Sequence, residues 1–200
     1  MLLSIALLSL IWESGNLAPG GRAYPAYGFF KTDTIWDWLP MAYGSPGTGT
    51  SRTNYWYDIS GNAWQTRTQG NTPARYDAGG TFLPYNGETR LFVFGGAVYN
   101  PNLGQPDSGT VASHYYTYSS NAWTNIRNYP HKAEGVAVAS FGAYIYTMGG
   151  HEFDIWAGTN AILNTCYRYD PSGAGGGTYT VRANLLTAVA DAGTAVANNG

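Results

Sequence analysis

Two hundred residues are enough for one domain with a sizeable core. Only 11% are charged, the formal net charge is −2, and lysine occurs only at Lys31 and Lys132. No phosphate-neutralising face can be built from this, which excludes nucleic acid as a partner. The 17 tyrosines, 7 tryptophans and 27 glycines fit many short strands joined by tight turns and exclude an all-helical domain. Cys166 is the one cysteine, so no intrachain disulfide forms and redox chemistry does not reveal the compartment.

The chain opens on an apolar run, Leu2 to Trp12 (LLSIALLSLIW). It is shorter than the ~20 apolar residues of a membrane span. Its length suits the apolar region of a secretory signal, yet no Lys or Arg follows Met1 and no A-x-A site follows Trp12. A strand belonging to an upstream unit is the competing reading, and both stay open.

From Pro19 a pattern of four short strands begins. Pro19 to Phe30 and Ile35 to Trp38 read as two strands around a polar turn. A Gly/Ser/Thr/Pro-rich loop covers Met41 to Thr53, and Asn54 to Arg67 reads as a hairpin turning at Asp58 to Asn62. The order recurs after Pro73-Ala74-Arg75. Two strands across Ala78 to Gly96 end at Gly95-Gly96, a loop runs from Ala97 to Ala112, and a hairpin spans His114 to Arg127.

The third unit follows Pro130-His131-Lys132. Its strands across Ala133 to Gly150 turn at Phe141-Gly142 and end at Gly149-Gly150. A loop covers His151 to Leu163, and the hairpin Asn164 to Arg182 has Tyr179 where the other two have Trp64 and Trp123. Asp191 to Gly200 repeats the opening of a unit, with a strand expected at Thr194 to Asn198. Aligning Gly80, Gly135 and Gly193 gives spacings of 55 and 58 residues. Tyr57 precedes Trp64 by seven residues, as Tyr116 precedes Trp123. This is a repeat protein.

The chain resembles the kelch family of β-propellers, to which galactose oxidase is similar. The resemblance rests on Gly95-Gly96 and Gly149-Gly150, the Tyr-Asp pairs at 57–58 and 169–170, Trp64 and Trp123, and Pro-x-Arg at 73–75. It covers residues 19 to 200 and implies an all-β propeller fragment, with three four-stranded blades plus the first strand of a fourth. The expected divisions are a leader at 1–18, blades at 19–69, 70–128 and 129–183, and the start of a further blade at 184–200. Leu39-Pro40 stands where the first glycine pair belongs, and the third unit lacks the tryptophan. Propellers typically have 4–8 blades, so the expectation is a piece of a longer frame or a ring closed by another chain.

Strand alternation puts the three long loops on one rim, where binding function commonly sits. The candidate ligand-binding residues are Tyr99, Asp107, His151, Glu152, Asp154 and Trp156. The last four lie within six residues and read either as a polar pocket with a stacking aromatic or as a solvated loop whose tryptophan packs on the unit below. His151, Glu152 and Asp154 have neither H-x-x-x-H nor paired-cysteine spacing, and His114 and His131 fall in other layers, so no metal is expected. No serine sits in G-x-S-x-G, and Cys166 falls inside a strand where a buried inert thiol is the default. No catalytic residue and no cofactor is assigned. By resemblance the function is a binding module for a protein or glycan partner, extracellular or periplasmic. The alternatives are a carbohydrate-active enzyme of the oxidase or sugar-epimerase kind, or a structural subunit that self-associates through open blade edges.

Overall fold

The computed structural model describes residues 26–27, 30–31, 36–44, 50–100, 102 and 105–194. The apolar leader at 2–12, the turn at 32–34 and most of the strand expected at Thr194–Asn198 lie outside the described residues. Every regular element among the described residues is a strand, and the strand pairings are antiparallel. No helix among them is long and apolar enough to cross a membrane.

The first unit contains β1 (Ala26–Tyr27), β2 (Phe30–Lys31), β3 (Trp36–Ala42), β4 (Asn54–Asp58) and β5 (Ala63–Arg67). Here β3 pairs with β1, β2 and β4, and β4 pairs with β5. The second unit begins with β6 (Gly79–Tyr85) and β7 (Glu88–Phe94), continues through the hairpin β8 (Ala97–Asn100) and β9 (Gln105–Gly109), and ends with β10 (Ser113–Thr117) and β11 (Ala122–Asn125). After β12 (Ala133–Glu134), the third unit repeats this with β13 (Ala137–Phe141), β14 (Tyr144–Met148), the hairpin β15 (His151–Asp154) and β16 (Thr159–Ile162), then β17 (Cys166–Asp170) and β18 (Thr178–Val181). The main sheets of units two and three run β6-β7-β10-β11 and β13-β14-β17-β18.

The local causes are visible in the turns. Asn86 (φ 50°) and Gly87 (φ 82°) join β6 to β7, the two-residue chemistry that matches strand twist. In the outer hairpins Tyr57 lies opposite Trp64 and Tyr116 opposite Trp123. The hydroxyls of Tyr57 and Tyr116 donate to Asn62 Oδ1 and Asn121 Oδ1, which hold the left-handed turn positions. Tyr179 faces Tyr169 in the third unit, and Gly175, Gly176 and Gly177, all at positive φ, lengthen that turn. The tyrosine therefore does occupy the tryptophan position.

The continuous apolar run of β7 shows how the sheets stack. Leu91 and Val93 pack with Ala42, Tyr43, Trp56 and Tyr116 toward the first unit. Phe92 and Phe94, one residue out of phase, pack with Tyr129, Val138, Ile145 and Tyr169 toward the third. A strand covered on both faces reads as an unbroken apolar stretch because both side-chain sets are buried.

The glycine pairs mark where the segment leading into the next unit crosses the sheet. A Cβ on Gly95 would lie 2.4 Å from Ala133 O, and one on Gly149 would lie 2.3 Å from Val189 O. The first unit has its own pair, and it is not Leu39-Pro40. β3 runs through those two residues to Ala42, and Tyr43 (φ 64°) with Gly44 (φ 95°) takes the conformation of Gly95 (φ 62°) with Gly96 (φ 109°). The hydrogen bonds agree. Tyr43 N–H donates to Thr53 O as Gly95 does to Ala112 O, and Gly44 N–H donates to Arg75 O as Gly96 does to Ala133 O.

The same bonds correct the repeat register. Gly96 N–H and Gly150 N–H bond to Ala133 O and Val189 O, which makes Asp77, Gly135 and Asp191 equivalent, in place of Gly80, Gly135 and Gly193. All three have positive φ. β6 and β13 begin in step, at Gly79 and Ala137, so Gly80 lies inside β6 and corresponds to Val138 rather than to Gly135.

Arg75 is fully buried between the first two units. Its guanidinium lies 4.4 Å from the centre of the Tyr43 ring, and it donates to Ala112 O at 2.6 Å and to His114 Nδ1 at 2.8 Å. The Tyr43 hydroxyl reaches the same nitrogen at 3.1 Å. Burial, then the adjacent guanidinium, pushes the His114 pKa down to about 3. His114 is thus a neutral acceptor inside the core.

Candidate functional site

The segments read as loops at Ala97–Ala112 and His151–Leu163 are largely the hairpins β8–β9 and β15–β16. The two join edge to edge across the unit boundary. Asp154 stands opposite Ser108, and Ile155 N–H donates to Asp107 O at 3.0 Å. With β12 paired to the start of β15, they make one rim sheet that bridges units two and three. Their Asn, Asp, Gly and Thr content reads as loop because the pairing that orders them is non-local.

Of the two readings open for His151, Glu152, Asp154 and Trp156, the single pocket is not what the strand builds. Successive residues of a strand point to opposite faces, so β15 divides them. On one face His151 stacks on Phe153 with ring centres 5.1 Å apart. On the other, Glu152 lies 3.2 Å from His131 and Asp154 lies 2.6 Å from Lys132. His131 also meets the Tyr167 hydroxyl at 2.9 Å. Asp154 Oδ1 accepts the N–H groups of Trp156 and Ala157, each at 3.1 Å, and so shapes the hairpin tip. Lys132 first, then these amides, hold its carboxyl below the usual range. Trp156 does not pack on the unit beneath, because it is 73% exposed beside Ile155 at 43%.

Tyr99 and Asp107 sit half-buried on β8 and β9, where Asp107 is the extra residue of a bulge between the pairs Val98–Ser108 and Tyr99–Pro106. Asp107 accepts from Asn100 Nδ2 at 3.3 Å and Ser108 Oγ at 3.4 Å. A shallow depression of about 210 Å³ opens beside Lys132, Glu152, Phe153, Asp154, Ala157 and Thr159.

The face of β15 that carries His151 leads to a cluster the sequence reading missed. His151 Nδ1 lies 3.2 Å from Glu134 Oε1, and Nε2 lies 2.8 Å from Asn160 Oδ1. The Asn160 acceptor, and then Glu134, raise the imidazole pKa. Burial raises the Glu134 carboxyl. Burial, followed by a shared hydrogen bond with Asp191, pushes Asp77 up to about 7. In mildly acidic solution the Asp77 carboxyl therefore keeps a proton that an exposed aspartate would have released. The signal that could have found the pair was the unit period, once registered on the lead-in segment rather than on glycine.

Among the described residues no group of three or more His, Cys, Asp or Glu side chains could hold a metal ion. Cys166 is buried, and burial raises its thiol pKa, so it is a poor nucleophile. No protein-family model and no curated protein matches this chain. Function must therefore be argued from these residues.

Proposed function

We propose that the chain is part of a kelch-type β-propeller and acts as a binding module, with the rim sheet as its recognition surface for a protein or glycan partner. In this reading the three stacked units are blades, and the recurrence of the glycine-pair geometry and the Tyr–Trp hairpins supports it. An extracellular or periplasmic setting belongs to the same proposal and draws on the low charge and abundance of Tyr, Asn, Thr and Gly.

The observation that carries the function is the rim itself. Two ordered hairpins merge into one platform, and its tip holds Ile155 and Trp156 in solvent, where packing does not account for them. A large aromatic side chain held on a rigid element is what recognition surfaces offer. Glycan arrays and displayed-peptide libraries, probed with the wild-type chain and with Trp156→Ala, test the reading. Ligands should lose at least about tenfold in affinity with the variant, about 1.4 kcal/mol. Ligands that ignore the substitution would remove the tip from the surface.

A further inference from the structure

β12 meets β15 as the lead-in of unit two meets β8. Glu134 stands opposite His151, and Tyr76 stands opposite Ala97. Tyr76 N–H donates to Ala97 O at 3.1 Å and Ala97 N–H to Tyr76 O at 2.8 Å. Unit two therefore makes this junction with a tyrosine and an alanine, and the fold needs no titratable group there. Unit three puts a carboxyl and an imidazole in the same two places.

The His151 ring has an acceptor at each nitrogen. Nδ1 lies 3.2 Å from Glu134 Oε1 and Nε2 lies 2.8 Å from Asn160 Oδ1. Neutral imidazole carries one N–H, so both bonds form together only in the imidazolium. His131 differs. It faces Glu152 through Nδ1 and the Tyr167 hydroxyl through Nε2. A hydroxyl donates as well as accepts, so neutral His131 keeps both bonds.

The groups around His151 are negative or neutral. Glu134 faces it from β12, Asn160 from β16 and Asp191 from the segment that follows β18. Phe153 stacks on it from its own strand. Asp77, on the lead-in of unit two, adds its field at Glu134. Loss of the His151 proton breaks one ring bond and removes the positive charge that Glu134 and Asp191 meet.

We propose that His151 is a proton-operated clasp, which binds the hairpin β15–β16 to β12 when protonated and frees it, with its Ile155–Trp156 tip, when neutral. As a control on recognition the clasp rests on the rim being the binding surface. As a property of the hairpin it stands apart from that reading. Both partners set the same direction. The Asn160 acceptor, then Glu134, raise the His151 pKa above 6.5. Its contribution is full below 6.5 and lost as pH climbs through the raised value. Burial raises the Glu134 carboxyl above 4.5, so its contribution too is full in acid and lost on ionisation. The junction therefore loosens as pH rises.

Backbone amide exchange in the full chain, corrected for the intrinsic rate at each pH, reads the junction directly. Phe153 N–H donates to Lys132 O at 3.2 Å and Ile155 N–H to Asp107 O at 3.0 Å. Their protection should fall at least about threefold between about pH 5.5 and about pH 8. His151→Gln, neutral throughout, should flatten the fall, whereas Asp77→Asn should leave most of it in place. If His151→Gln does not fold, His151→Ala combined with Glu134→Tyr copies the junction of unit two and serves the same end. The His151 ring signals should titrate above 6.5.

Equal protection at both pH values, a ring that titrates at or below 6.5, or a fall that persists in His151→Gln would overturn the clasp without touching the rim reading. Array ligands that depend on Trp156 should bind the wild type at least about threefold more weakly at the higher pH, because a loosened tip is less preorganised. They should bind His151→Gln equally at both. Equal binding by the wild type would overturn the control of recognition. Ligands that ignore Trp156→Ala would overturn the rim reading and leave the exchange result to decide the clasp.

Discussion

Asp191 Oδ1 occupies the space that a side chain at Gly135 would need, since a Cβ built there would lie 2.5 Å away. Asp77, Gly135 and Asp191 hold the same left-handed conformation in successive units, at φ 52°, 59° and 56°, joined N–H to C=O along the series. The missing side chain in the middle lets the two outer carboxyls meet. Residues 189–194 are thereby tied to both the second and the third unit.

Stability at this tie should fall as pH rises. Asp77 titrates near 3.8 when unperturbed and is pushed up to about 7 here. Between those values the folded chain holds a proton that the unfolded chain has released. The contribution is therefore fully present below the lower value and lost on passing through the upper one. Thermal unfolding of the wild type from pH 4 to 8 should show a declining midpoint, flattened in Asp77→Asn. Parallel profiles would show that Asp77 does not keep its proton in the folded chain over this range.

Gly135→Ala should loosen the same segment by a different route. The left-handed backbone alone costs of order 1–3 kcal/mol for a side-chain-bearing residue, and the new methyl displaces Asp191. Hydrogen exchange should quicken first in the amides of Val189 and Asp191. Unchanged protection there would mean that the segment is held elsewhere.

Trp56 and Trp123 should differ. Trp56 is 1% exposed, its Nε1 donates to Asn54 Oδ1 at 2.9 Å, and its ring meets Phe82, Tyr116 and Tyr118. Trp56→Ala should cost ~3–5 kcal/mol. Trp123 is only half-buried and bonds Thr68 O at 3.0 Å, so Trp123→Ala should cost about 2 kcal/mol. Urea titrations that reverse this order would contradict the packing described between units one and two.

Arg75→Lys should not be conservative. The guanidinium spans Ala112 O and His114 while lying over Tyr43, a planar fork that an ammonium cannot reproduce. A loss of about 2 kcal/mol or more is expected from the buried acceptors left unpaired. Denaturant midpoints within error of the wild type would show that lysine satisfies both groups.

The hairpins were legible in the sequence because their causes are local. Tyr57 with Trp64 and Tyr116 with Trp123 follow from period-two alternation around a turn that asparagine can close. Gly95-Gly96 and Gly149-Gly150 announced themselves because a contact at 2.4 or 2.3 Å admits no Cβ. The same chemistry concealed Tyr43-Gly44, where a tyrosine accepts the left-handed turn and stacks under Arg75.

What the sequence by itself determined was the all-strand character, the unit repeat and the position of each outer hairpin. These depend on residues within one turn or one strand pair of each other. Only the tertiary structure decided that the polar stretches after β7 and β14 are strands, since β9 and β15 order one another across a unit boundary. It also decided which side chains share a face. His151 parts from Glu152 and Asp154 by strand alternation, and finds Glu134 and Asn160 instead. The pairing of Asp77 with Asp191 lay furthest from view. Two carboxyls so distant in sequence meet only when the lead-in segments of successive units are stacked with a glycine between them.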